Sequence, residues 1–248
     1  MGAAKQGHNK ASKKVKQDAF LKKEWRHVMI PGYFTSKRSI GYTVSTKTAR
    51  GKVPMDYLQG RNWELSHGDF AGEQTHAFRL FKWRTIAAAD DVYTQFNGMR
   101  LTRDKMGSLL RKYRTLVNAE VDCRTADGYI VRLFSLCFTK KLQNSTKRHC
   151  YATQATCRKI REEMVKGMKE AATSSNVEAL CKAVVEEKIE TAILEACKPF
   201  CQIEGLFITK IKVIKAPGLT ADQIKDLHIP KEVAEKSIVT EVARPTEQ

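Results

Sequence analysis

The stretch VDCRTADGYIVRLFSLCFT, residues 121–139, is where the fold class can be read. Asp127-Gly128 is a two-residue turn signal, because both residue types tolerate positive φ. Val121 to Arg124 and Tyr129 to Thr139 then form the two strands of a hairpin. Toward the N-terminus, Trp25 to Ile30 and Ser39 to Thr48 are expected strands, the second alternating Ile40, Tyr42, Val44 and Thr46 with polar or small neighbours. Arg61 to Leu65 is a third, between Gly60 and Gly68. Ala77 to Ile86 is a fourth, with Phe78, Leu80 and Lys82 on one face and Arg79, Phe81 and Trp83 on the other. Asn97-Gly98 reads as another tight turn. Thr102 caps a helix expected to reach about Val117, with Met106, Leu109, Leu110 and Tyr113 as its apolar stripe. Toward the C-terminus, Tyr151 to Ala172 carries Ile160, Met164 and Met168 at four-residue spacing, a core-facing helix. Ser174-Ser175-Asn176 caps a second, Val177 to Cys197, with Leu180, Val184, Ile189 and Ile193 inside and glutamates outside. Leu206 to Ile214 is a β-branched strand, and Asp222 to Leu227 could add a helical turn or two. This order is α+β: a β-rich, barrel-like core with a helix, a hairpin and a C-terminal helical pair.

Charge decides the class of partner. The 248 residues hold 44 Lys+Arg against 27 Asp+Glu, net +17 with a pI near 9.6. The excess is segregated: residues 1–50 hold 12 basic and 2 acidic side chains, 51–160 hold 19 and 10, and 161–248 hold 13 and 15. A chain so charged repels itself unless it meets a polyanion, so nucleic acid or an acidic membrane surface is the expected partner; because the basic excess continues from the N-terminal stretch into the folded part, nucleic acid is favoured. The first 24 residues are Lys-rich with few large apolar side chains, which predicts a disordered basic arm. No apolar run approaches the roughly 20 residues of a membrane span, and no apolar h-region follows the N-terminus, so neither a membrane nor a secreted destination is expected.

Catalytic signatures are missing. No phosphate-binding glycine loop, HExxH, GxSxG or kinase motif occurs. Asp90-Asp91 are adjacent and aim apart, and His67, His76 and His149 have no pattern around them that makes a general base. Seven cysteines form no CxxC pair and read as reduced thiols of a cytosolic protein. His149-Cys150 with Cys157, and Cys197 with Cys201, have zinc-ligand residue types, but the second pair lacks a companion. No enzyme activity, cofactor, metal or small-molecule substrate is expected. The basic residues are the candidate site: Lys5, Lys10, Lys13, Lys14, Lys16, Lys22, Lys23 and Arg26 in the arm and its junction, then Lys37, Arg38, Arg103, Lys105, Lys140, Lys141, Lys147, Arg148, Arg158 and Arg161. Each cluster alone would be an ordinary solvated surface; together they suit phosphates, because each neutralised phosphate releases counterions. Tyr33, Phe34, Tyr42 and Tyr151 lie near them, read either as base-stacking or as core and surface aromatics.

The order of motifs resembles one family. It runs from Trp25, Pro31 and Phe34 through Ile40-Gly41, Gly60-Arg61 and Phe78-Arg79 to two highly specific strings, Leu101-Thr102-Arg103-Asp104-Lys105-Met106 and Asp127-Gly128-Tyr129 with Arg132-Leu133-Phe134. Phe138-Thr139-Lys140-Lys141 and Arg158 with Ile160-Arg161 complete it. Over about residues 20–215 this is similar to the archaeal and eukaryotic small-subunit ribosomal protein family eS-one, older name S-three-a. The resemblance implies a non-catalytic protein of the subunit platform near the messenger exit. It would bind small-subunit ribosomal RNA and neighbouring platform proteins, with messenger RNA and initiation factors close by. It further implies a cytoplasmic ribosomal location, with passage through the nucleolus during assembly in a eukaryote. The expected division is a basic arm (1–24), one α+β ribosomal-RNA-binding domain (25–215) and a mobile C-terminal tail (216–248). The alternative weighed beside it is a free RNA-binding accessory protein of translation initiation; an RNA-modifying enzyme would need a cofactor loop or acid/base set that the sequence lacks.

Overall fold

Asp127-Gly128 does turn the chain. Gly128 takes φ 82°, its N–H donates to the Thr125 carbonyl at 3.0 Å, and the Thr125 N–H donates to the Tyr129 carbonyl at 2.9 Å. The Asp127 carboxylate also accepts the Val177 N–H at 2.8 Å, which ties the turn to the start of a helix. The computed structural model of the chain describes residues 18–32, 34, 39–45, 54–72, 74–88 and 91–229. Its strands are β1 (Glu24–Met29), β2 (Ser39–Ser45), β3 (Asn62–Ser66), β4 (Arg79–Ala88), β5 (Val92–Leu101), β6 (Leu116–Arg124), β7 (Ile130–Thr139) and β8 (Ile203–Lys215). Its helices are α1 (His67–Ala71), α2 (Arg103–Leu109), α3 (Gln154–Thr173), α4 (Val177–Val185), α5 (Lys188–Cys197) and α6 (Ala221–Leu227).

The α+β class is as expected, and the β-rich core is one forked, mixed sheet. Its path is β2-β1-β5-β8-β7-β6, with β4 and then β3 branching from β5. Apart from β1 on β5, which is parallel at Val28 and Met29, the ladders are antiparallel. Helices α3 and α5 cover β6–β8, burying Ile160, Met164, Met168 and Ile193 in the same core as Leu133, Cys137 and Ile208. Gly167 lets α3 approach α5: a Cβ there would sit 2.7 Å from a side-chain carbon of Ile193. An aromatic cluster of Phe34, Phe70, Phe81, Trp83 and Phe96 fills the other wing, with ring centroids 5.2–6.3 Å apart.

Four expectations are corrected. Asn97-Gly98 is not a turn; it lies inside β5, a strand the sequence reading missed. Gly98 has φ 142°, and a Cβ there would meet the Ile211 carbonyl oxygen at 2.5 Å, so its glycine serves close backbone approach. The helix after Thr102 has the expected cap but stops at Leu109, with Leu110 extended. From Leu116 the chain pairs with β7 instead, and long-range pairing outweighs the helical pattern. Val177 to Cys197 is two helices, broken at Glu187 with φ 56°. Arg79, Phe81 and Trp83 form one fully buried face of β4, while its opposite face is only partly covered. Residues 216–229, expected as tail, are docked: Ile224 and His228 are buried, the Gly32 N–H donates to the Leu227 carbonyl at 2.8 Å, and the Thr94 N–H donates to His228 Nε2 at 3.2 Å. Burial holds the His228 pKa below its ordinary value. Residues 46–48 of the second expected strand and 230–248 lie outside the described residues.

Gly98→Ala should destabilise the protein by about 2–4 kcal/mol, since its Cβ strikes backbone rather than a movable side chain. A urea unfolding midpoint unchanged from the parent would show that β5 and β8 do not need this contact.

Candidate nucleic-acid interface

One end of the sheet gathers the basic residues. There β7 ends at Thr139 against Ile203 of β8, and the chain leaves through a loop that returns at Cys150. Cys150 bridges Arg114, and its N–H donates to the Tyr113 carbonyl at 2.9 Å. The Thr139 hydroxyl donates to the Cys150 carbonyl at 2.5 Å, and the Ala152 N–H donates to the Thr115 hydroxyl at 3.0 Å. Thr153 caps α3 by accepting the Thr156 N–H. These bonds fix a surface that carries exposed Lys140, Lys141, Lys147, Arg148 and Arg158, five of the expected residues. Arg161, one turn along α3, donates its Nε to the Asn118 carbonyl at 3.2 Å.

The cations here lean on rings. The Arg148 guanidinium lies 4.4 Å from the centroid of Tyr113, and Lys159 Nζ lies 5.8 Å from that of Phe200. Lys105, farther in, sits between Phe78 at 4.2 Å and Phe207 at 4.7 Å. His149 and Tyr151 stack at 5.2 Å with planes 23° apart. Tyr113 adopts φ 61°, a costly conformation for a bulky residue and one that clusters at functional sites. Among the described residues, Arg103, Lys140, Lys141, Lys147, Arg148 and Arg158 make no ion pair with a carboxylate. Arg114 at this end is paired, with Glu204 at 2.5 Å.

Other expected residues fall elsewhere. Arg26 and Lys23 stand at the start of β1, which meets β5 only at Val92 and Tyr93, the end remote from α2. Arg26 is bound to Glu24 at 3.0 Å, and Lys23 lies 4.9 Å from the Phe20 ring. Lys22 ends a short 3-10 turn. Lys5, Lys10, Lys13, Lys14, Lys16, Lys37 and Arg38 lie outside the described residues, as does Tyr33. Of the remaining aromatics, Phe34 belongs to the core and Tyr42 packs on His27, whereas Tyr151 is 62% exposed at the basic end. Sequence reasoning missed Tyr113, His149 and Phe200 as parts of this surface, although it counted Arg111 and Lys112 among the basic clusters. A usable signal was present: from Gly128 to Arg161 there is no Asp or Glu, against eight Lys and Arg.

Nothing resembling a metal centre is found: among the described residues no three His, Cys, Asp or Glu side chains converge. All seven cysteines are free, and burial pushes the Cys137 thiol up to about 12 and that of Cys197 up to about 11. Such thiols are protonated at neutral pH and unreactive.

A family model described as the ribosomal S3Ae family matches residues 11–217. The small ribosomal subunit protein eS1 of Plasmodium falciparum (isolate 3D7) is 36% identical over 231 residues, covering 92% of this chain and 88% of that protein.

Acetylation of surface lysines, read by mass spectrometry, should be fast at Lys140, Lys141 and Lys147 and slow at Lys105, which two rings enclose. Heparin should protect the first three several-fold and leave Lys188, which is paired with Glu186, unchanged. Uniform protection of all lysines would dissolve the distinction between this end and the remaining surface.

Proposed function

The chain belongs to the ribosomal S3Ae family, and from that premise we propose that it grips small-subunit ribosomal RNA with the ring-backed basic end of its sheet. Its role is that of a structural ribosomal protein, not an enzyme. The observation that carries the RNA reading is the set Lys140, Lys141, Lys147, Arg148 and Arg158, brought to one end with no carboxylate in ion-pair range among the described residues. Phosphates are the ligands such a set suits, since each contact displaces condensed counterions without first breaking an internal pair. The lysines of residues 1–23 add sequence-independent phosphate contacts, and Arg103 with Lys105 extends the basic surface along α2. The exposed rings of Tyr113, Tyr151 and Phe200 beside these cations favour RNA over a smooth anionic membrane, which offers no base to stack.

In the assembled subunit this end lies against RNA of the platform near the messenger exit, and the Glu-bearing outer side of α4 and α5 meets solvent or a basic protein neighbour. Initiation factors and messenger RNA are then near neighbours rather than ligands of a pocket. The protein works in cytoplasmic ribosomes and, in a eukaryotic cell, joins the subunit in the nucleolus.

Two measurements test this. After sucrose-gradient fractionation and a high-salt wash, the protein should remain with the small subunit at about one copy each. Recovery at the top of the gradient would favour the free accessory protein instead. With isolated components, Lys140→Ala, Lys141→Ala and Lys147→Ala together should lower the slope of log affinity against log salt by roughly 0.7–0.9 per lost contact. An unchanged slope refutes the assignment of these residues.

A further inference from the structure

The His149–Tyr151 stack has no task in the fold. Tyr151 is 62% exposed, and its ring rests on His149 rather than on the core. Yet its backbone is held on both sides, by Cys150 to Tyr113 and Thr139 and by Ala152 to Thr115. An exposed aromatic pair on a backbone held at both ends, with Lys147 and Arg148 next to it in the chain, is an unusual arrangement for a solvated surface, because ordering large side chains in water costs entropy with little burial in return.

The Thr139–Cys150 bond brings the chain before Tyr151 to the chain before Lys140, where a cleft of about 450 Å³ opens, walled by Lys140, Lys141, Leu142, Gln143, Asn144 and Gln202. Its wall offers two ammonium groups and three side-chain amides, with no carboxylate. Ammonium groups suit phosphate oxygens as point charges, and amides carry both donor and acceptor for a base edge. The Lys140 N–H donates to the Gln202 carbonyl at 2.8 Å, which braces the two sides of the cleft.

Resting on the RNA reading above, we propose that this end binds unpaired nucleotides: a splayed base stacks on Tyr151 and its flanking phosphates enter the lysine cleft. Duplex RNA cannot use such a site. Its bases are stacked on one another and its deep groove is closed to side chains, so a ring platform needs a loop, bulge or single strand. Rings also tolerate any base, so the site selects for strandedness more than for sequence. Tyr113 and Arg148 form a second platform next to the first, and the Cys150 N–H bond to the Tyr113 carbonyl helps hold Tyr113 in its αL conformation against the strain.

The test uses the full chain and two fluorescent probes, a short oligoadenylate and a duplex RNA of equal phosphate number. Tyr151→Ala should weaken oligoadenylate binding about five- to 150-fold, the range of one lost base stack, with an unchanged salt slope. Duplex binding should stay within about twofold, as the phosphate contacts remain. Tyr151→Phe should restore oligoadenylate affinity, since the ring face and not the hydroxyl carries the contact. Equal thermal melting of the variants confirms that the exposed ring is not needed for folding. Wild-type affinity of Tyr151→Ala for oligoadenylate, or an equal loss on both probes, overturns the proposal. The two readings fail separately: lysine variants that lower the salt slope while Tyr151→Ala binds normally leave the phosphate surface standing and remove the stack. Lysine variants with no effect on the slope remove the surface itself.

Discussion

The architecture depends on β5 serving three partners. Along one edge it pairs with β4 through its whole length; along the other it meets β1 at Val92 and Tyr93 and β8 at Gly98 to Arg100. A strand has only two edges, so β1 and β8 must share one, and β8 must come in close where β1 has left off. Residue 98 is where that happens, and only glycine has room there. The Thr94 hydroxyl, donating to the Met29 carbonyl at 2.7 Å, satisfies a buried polar atom where the β1 ladder ends. The N-terminal strands and the β6–β8 layer thus become one sheet. Lys210 and Lys212 of β8 are held in register with the hairpin that leads into the basic loop.

A buried charge ties the helical layer to this sheet. Arg79 is fully buried on β4, with Glu187 at 3.1 Å and Glu190 at 3.7 Å. Desolvation lowers the Arg79 pKa and raises that of Glu190, and each carboxylate opposes the shift on the arginine. Such a pair contributes little over an apolar filling of the same shape, but losing one member leaves the other charge unpaired, at a cost of about 3–5 kcal/mol. Its value is registration. The αL backbone at Glu187 breaks what would be one continuous helix and brings residues 187 and 190 to the same guanidinium. Glu190 also accepts the Ile208 N–H at 3.3 Å, so α5 is pinned to β8 as well as to β4.

These same two places limit what the sequence discloses. The Asp127-Gly128 turn, the Thr102 cap and the Ile160, Met164 and Met168 stripe are local signals, fixed by neighbours within a turn, and they read correctly. Asn97-Gly98 misleads because the turn signature and the close-approach glycine look alike until β8, more than a hundred residues away, is in place. Glu187 is invisible for a similar reason: the partner that makes the break worthwhile is on β4. The basic surface was legible as charge, since residues 128–161 lack carboxylates. Which cations are available was not, because Arg148 meets Tyr113 and Lys159 meets Phe200 across the fold. Arg132 sits in the acid-free run yet is taken by Asp122 across the hairpin, with two contacts of 2.6 Å.

That contrast gives the electrostatics its logic. Elsewhere on the surface several cations are matched to carboxylates: Arg26 to Glu24, Arg100 to Glu64, Arg132 to Asp122 and Lys182 to Glu178. Each pair cancels its own charge toward a distant phosphate. A cation on a ring face gains a comparable amount, about 0.5–1 kcal/mol at an exposed site, but the ring carries no net charge and cancels nothing. Rings therefore order Arg148 and Lys159 while leaving their full charge outward. The protein can hold a preoriented, uncompensated positive surface at one end and remain folded, because the mutual repulsion is screened over about 8–10 Å in physiological salt. An anion arriving there meets side chains already in place, so less of the electrostatic attraction is spent on ordering them.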